Sequence, residues 1–65
     1  MRIEVNGEER EIAASTLAAL LAELGYVELP VATAVNLAFV RGADRAATPL
    51  REGDKVEIVS PKQGG

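Results

Sequence analysis

Leu17, Leu20, Leu21 and Leu24 stand at i, i+3, i+4 and i+7, the spacing of one apolar helix face. Ser15 or Thr16 can cap the start of that helix. Gly25 falls where a left-handed residue would end it. Each leucine, fully buried, contributes about 1.5–3 kcal/mol, so this face is the main adhesive of the chain. One amphipathic helix cannot bury its own face; it needs an apolar layer opposite. That layer has to come from the rest of the 65 residues.

The flanking sequence reads as strands. Met1 to Val5 alternates apolar and charged residues, with Met1, Ile3 and Val5 facing inward. Asn6-Gly7 is a strong hairpin signal, because both central residues of a type I′ turn need positive φ. Glu8 to Ile12 then returns antiparallel, and its charges suit an edge strand. After a linker over 26–30, β-branched Val31 to Val35 predicts a strand. Asn36-Leu37 is a turn and Ala38-Phe39-Val40 a short strand. The stretch 41–54 is long for so small a domain and is assigned no helix or strand; Thr48-Pro49 turns it and Leu50 pins it to the core. Glu52-Gly53-Asp54 is a further turn. Lys55 to Val59 is the last strand, with Val56 and Ile58 inward.

The order is β-β-α-β-β-β. If the first and last strands lie side by side they run parallel, and the helix and following strands supply the crossover. This is an α+β chain of β-grasp, or ubiquitin-like, architecture: a mixed sheet of four to five strands covered on one face by one helix. Residues 1–60 form the domain, and 61–65 a flexible tail ending in Gly64-Gly65.

Size and composition narrow the function. A chain this short buries only about 60% of the surface its unfolded form exposes, which leaves little for a deep catalytic cleft. There is no cysteine and no histidine. Disulfides, the usual zinc sites and Ser–His or Cys–His nucleophile pairs are therefore excluded. Net charge is −3, and Arg and Lys form no stripe, so nucleic acid is not an expected partner. No apolar run approaches 18 residues and no signal peptide opens the chain, which predicts a cytoplasmic protein with no membrane association.

The end of the chain offers chemistry. Two residues without side chains let a carboxylate pass through a narrow crevice into another enzyme's site. Proline biases Ser60 away from helix and Pro61 lacks an N–H, so strand pairing weakens there. Stretched, 61–65 reaches roughly 17 Å. The alternative is an ordinary frayed terminus.

Several blocks in order carry a resemblance. They are Ile3-Glu4-Val5-Asn6-Gly7, Thr16-Leu17, Leu20-Leu21-Ala22-Glu23-Leu24-Gly25, Val31-Ala32, Val35-Asn36, and Leu50 through Val59 ending in Gln63-Gly64-Gly65. With them the chain resembles the ThiS family, the sulfur carriers of thiamine biosynthesis, over its whole length. The resemblance implies a protein cosubstrate rather than an enzyme, with no catalytic or metal-binding residue of its own. A ThiF-like adenylyltransferase would join the Gly65 carboxylate to AMP, using ATP and Mg²⁺. Sulfur from a cysteine-desulfurase persulfide would displace AMP and leave a thiocarboxylate. A ThiG-like thiazole synthase would accept that sulfur. Gly64 would permit passage through the partner's crevice, and Gln63 and Lys62 would make tail contacts.

For docking, alternation puts Leu37, Phe39 and Val59 on the sheet face away from the helix, unless Phe39 turns in to complete the core. Arg41, Arg45 and Arg51 are either rim salt-bridge partners or solvated charges. Two departures from the family pattern stand out. Leu37 follows Asn36 where relatives often have glycine, which predicts a turn of another type. Lys62 stands where many have an aliphatic residue. Competing readings are a small subunit of molybdopterin synthase (MoaD-like), a ubiquitin-like modifier joined to lysines, and a β-grasp interaction module with an inert tail.

Overall fold

In the computed structural model, which describes residues 1–27 and 29–60, the alternation at the start becomes strand β1, Arg2–Val5. Ile3 and Val5 are buried on one face. Asn6 and Gly7 take φ of 50° and 86°, the left-handed pair of a type I′ hairpin turn. Strand β2, Glu8–Glu11, returns antiparallel with Val5 opposite Glu8. Every residue of β2 is exposed, as its charges require. Ile12 follows it directly into the core.

Helix α1, Leu17–Glu23, is capped by Thr16, whose Oγ1 accepts from the Ala19 N–H at 3.1 Å. Ser15 is not the cap. Leu17, Leu20 and Leu21 are buried, and Leu24 is the half-buried C-cap. Gly25 has φ of 89°. The Gly25 N–H donates to the Ala22 carbonyl at 3.2 Å and the Tyr26 N–H to that of Leu21 at 2.8 Å. These two bonds form a Schellman motif, so the glycine ends the helix as its position predicted.

Strand β3 is Ala32–Val35, β4 is Ala38–Val40 and β5 is Lys55–Val59. The sheet order is β2-β1-β5-β3-β4, with β1 and β5 parallel in the centre and the other pairs antiparallel. The expected mixed sheet thus has five strands. Val31 lies just outside β3, half-buried against the core. That core is aliphatic: Ile3, Val5, Val56 and Ile58 from the sheet meet Leu17, Leu20 and Leu21 from α1, with Ile12 and Leu50 closing the sides.

Two expectations need correction. Asn36 and Leu37 take φ of 50° and 72°, the same left-handed pair as Asn6-Gly7 rather than another turn type. The register is the reason: Val35 faces Ala38, so only two residues join β3 to β4, and strand twist admits only a primed turn. Leu37 therefore carries the strain of a left-handed side chain, about 1–2 kcal/mol.

The second correction concerns 41–54. It contains a 3₁₀ helix, Gly42–Ala47, that packs on α1. Arg45 on that helix is neither a rim nor a free charge. Its Nε donates to Thr33 Oγ1 at 3.0 Å and its Nη2 to the Val31 carbonyl at 2.7 Å. Thr33, only 2% exposed, donates in turn to the Val40 carbonyl at 2.9 Å. A buried hydroxyl is costly unless both its donor and its acceptor find partners; here both do. Beyond the 3₁₀ helix, Leu17 N–H donates to Thr48 and Leu50 N–H to Ser15, each at 2.9 Å. These bonds fasten the start of α1, and Leu50 is buried as expected. Among the described residues no helix is long and apolar enough to cross a membrane.

Candidate functional site

Strand β5 ends beside the sheet's apolar outer face. Alternation on β5 turns Val56 and Ile58 to the core and leaves Lys55, Glu57 and Val59 outside. On β3, Thr33 faces inward, so Ala32 and Ala34 face outward. Ala34 is opposite Phe39 on β4 and Ala32 is opposite Val59 on β5. Phe39 and Val59 therefore share the outer face, diagonally across β3. Two strand spacings and two residues separate them, roughly 12 Å.

Phe39 is 70% exposed and Val59 57%. Phe39 does not complete the core; the neighbouring Val40 packs there instead. Leu37, at the tip of the β3–β4 hairpin, is 89% exposed. The three residues named from the sequence are thus all exposed, with two small alanines between the larger side chains. Large apolar side chains grouped on one exposed face make it a candidate interaction surface.

The other half of the outer face is charged. Glu4 lies opposite Lys55 and Glu9, and Arg2 lies opposite Glu11. Arg2 reaches Glu9 at 3.4 Å and Glu11 at 3.7 Å. Exposed pairs of this length add little stability. They leave an acidic surplus beside the apolar patch, which complements a basic rim on a partner. Arg41 is engaged locally, with Nε 2.9 Å from Asp44 Oδ2. Arg51 is exposed.

Gly65, Gly64, Gln63 and Lys62, the residues to which tail chemistry was assigned, lie outside the described residues, as does Pro61. The described chain stops at Ser60, one residue past the end of β5. Ser60 therefore stands at the end of the central strand of the sheet, which is flanked by β1 and β3.

On the opposite side of the molecule a shallow groove of about 450 Å³ runs between α1, the residues Tyr26, Val27 and Leu29, and the 3₁₀ helix. Val27 and Leu29 stand exposed along it. The sequence reading took this segment as a linker and missed them. Val27 and Leu29 flank Glu28 in a stretch of five residues ending in Pro30, too short for a periodic signal by which to find them. Among the described residues no three acidic side chains converge as a metal site would need.

Comparison with known proteins is consistent across sequence and structure. A family model described as the ThiS family matches residues 3–65. The chain is 39% identical over 61 residues to a sulfur carrier protein ThiS of Thermus thermophilus, covering 94% of this chain and 95% of that protein. It is 44% identical over 66 aligned residues to a thiazole synthase of Paramagnetospirillum magneticum, covering all of this chain but only 20% of that protein. The chain thus spans about a fifth of the length of that relative. The crystal structure of a thiamine biosynthesis protein (ThiS) from Geobacter metallireducens superimposes with a TM-score of 0.83 at 26% identity, with both chains fully covered.

Proposed function

The chain belongs to the ThiS family of thiamine-biosynthesis sulfur carriers, and we propose that it carries its sulfur on the carboxyl carbon of Gly65. The supporting observation is that the family match runs through Gly64 and Gly65. A glycine carboxylate is ionised at neutral pH, with a pKa near about 3.5, and is a poor electrophile until it has a leaving group. In the proposed first step a Gly65 carboxylate oxygen attacks the α-phosphorus of MgATP, and pyrophosphate leaves. The nucleotide, the Mg²⁺ and the groups that position them belong to a ThiF-like adenylyltransferase. The terminal sulfur of a desulfurase-derived persulfide then attacks the acyl carbon, and the C–O bond to AMP breaks. A thiol cleaves the resulting acyl disulfide and is itself oxidised to a disulfide with the sulfur donor. A thiocarboxylate remains on Gly65.

The acceptor is proposed to be a ThiG-like thiazole synthase. A protein named thiazole synthase holds a segment similar to this entire chain, which supports that pairing over a molybdopterin-type partner. The carrier's own part is to offer the acyl terminus and a docking face. Incubation with the adenylyltransferase, ATP, Mg²⁺ and a persulfide source should exchange one oxygen for one sulfur in the intact mass, and the product should alkylate. An unchanged mass, or adducts to protein lysines instead, would overturn the proposal.

Docking is assigned to Leu37, Phe39 and Val59. Leu37 separates binding from folding unusually well. It is almost wholly exposed and held at positive φ, so it costs stability where it stands. Leu37→Gly should raise stability by about 0.5–1 kcal/mol, the relief of left-handed strain less the extra chain entropy of glycine. The same variant should raise KM for the carrier in ATP–pyrophosphate exchange. A rise in melting temperature with KM unchanged would remove Leu37 from the docking face.

A further inference from the structure

We propose that Asn6 is a positioning residue, which holds the end of β5 in line as far as Ser60, the point from which the acyl terminus is presented to the activating partner. The proposal rests on the reading of Gly65 as the activated acyl group.

The geometry is specific. β1 pairs with β5 only as far as Val5 opposite Val56, then turns away at Asn6-Gly7. Along a strand, successive residues direct their N–H and C=O to opposite sides. The Val56 carbonyl points to β1, where it accepts from the Asn6 N–H at 2.9 Å. Ile58 points the same way but finds no strand there, because β1 has ended. The Asn6 side chain takes the missing place. Its Oδ1 accepts from the Ile58 N–H at 2.9 Å, and its Nδ2 donates to the Ile58 carbonyl at 3.1 Å. One primary amide thus substitutes for one further peptide of β1. The positive φ of Asn6 lets a single residue both turn the hairpin and aim its amide back along the sheet.

Strand β5 has a matching clamp at its other end. Asn36, also at positive φ, accepts at Oδ1 from the Lys55 N–H at 3.0 Å and donates from Nδ2 to Asp54 at 3.0 Å. The two asparagines hold opposite ends of the same strand, and only Asn6 acts at the end from which 60–65 depart. Asn36 is therefore an internal control for any general loosening of β5.

The test uses glycine at each position, because glycine keeps the positive φ and removes only the amide. Asn6→Gly and Asn36→Gly are each compared with the parent in ATP–pyrophosphate exchange catalysed by a ThiF-like adenylyltransferase, at a temperature where all three are folded. The docking face is untouched in Asn6→Gly, so KM for the carrier should hold. Productive entry of the tail should become rarer, and kcat should fall on the order of tenfold. Asn36→Gly should leave kcat unchanged. Amide exchange at Ile58, followed by NMR on the chain alone, should quicken only in Asn6→Gly. A parental kcat in folded Asn6→Gly, or an equal loss in both variants, overturns the proposal. A parent chain that supports no exchange at all overturns instead the reading of Gly65 and, with it, any role for the clamp in activation.

Discussion

Gly65→Ala is expected to lower kcat/KM for adenylation by on the order of a hundredfold while leaving the melting temperature where it was. The position follows strand Lys55–Val59 by six residues, and among the described residues the core draws its last side chain from Ile58. A glycine has no side chain to add to that core, so the substitution is expected to act on the proposed chemistry. A methyl group on the α-carbon sits two bonds from the carboxyl carbon whose oxygen must meet the α-phosphorus, and it removes the backbone freedom that glycine alone offers. Displacement of a reacting group by about 1 Å can cost about a hundredfold even without loss of binding. The measurement is ATP–pyrophosphate exchange at increasing carrier concentration, paired with a thermal melt. Exchange at the parental rate would mean that the terminal carboxyl is not what the partner activates.

The parts of this fold written in local pattern were legible in the sequence. The first hairpin shows in an Asn-Gly pair between alternating residues, and α1 in four leucines, a threonine cap and a terminating glycine. Period-two alternation also offered the outer face for Phe39 and Val59, because parity decides the face once one residue of a strand is buried, though it left open whether Phe39 turned in. Leu37 is exposed at the hairpin tip rather than on that face. What escaped was held by contacts between residues far apart in sequence. The 3₁₀ helix Gly42–Ala47 buries no residue of its own, so it has no apolar period to announce it. It is tied down by Arg45, reaching back to Thr33 and Val31. An arginine in a polar stretch reads as a solvated charge, and only the fold shows its buried partner. Asn6 was read correctly as a turn residue, yet its amide bonds to Ile58 cross 52 positions. Leu37 misled for a different reason. Its side chain argues against positive φ, but the two-residue spacing between β3 and β4 overrides that local preference. A conflict between residue and turn of this sort is expected where function retains a side chain that folding alone would discard.

The leucine face from which the fold is built also sets its greatest vulnerability. Leu20→Ala is expected to destabilise the domain by about 2–5 kcal/mol, the usual cost of truncating a fully buried leucine when the surroundings cannot collapse. Leu20 is 0% exposed and belongs to the core cluster that joins α1 to the sheet. Collapse is hindered on both sides: β1 and β5 hold the sheet centre by parallel pairing, and α1 is fixed at its start by Thr16 and at its end by the Gly25 motif. A chain of 65 residues has a total stability of only about 3–10 kcal/mol. One methyl-for-isobutyl exchange can thus consume most of it. At about 4–8 °C per kcal/mol for a domain of this size, the melting temperature should drop by roughly 10 °C or more. Leu24→Ala is the comparison. That residue is the half-buried C-cap, so its truncation opens toward solvent and should cost distinctly less. Equal losses at the two positions would show that the helix is held by its own turns rather than by the sheet beneath it. Activation of Leu20→Ala by the adenylating partner should recover on cooling as the folded fraction returns, whereas that of Gly65→Ala should not. The two defects would then be separated by temperature alone, one in the scaffold and one in the group it presents.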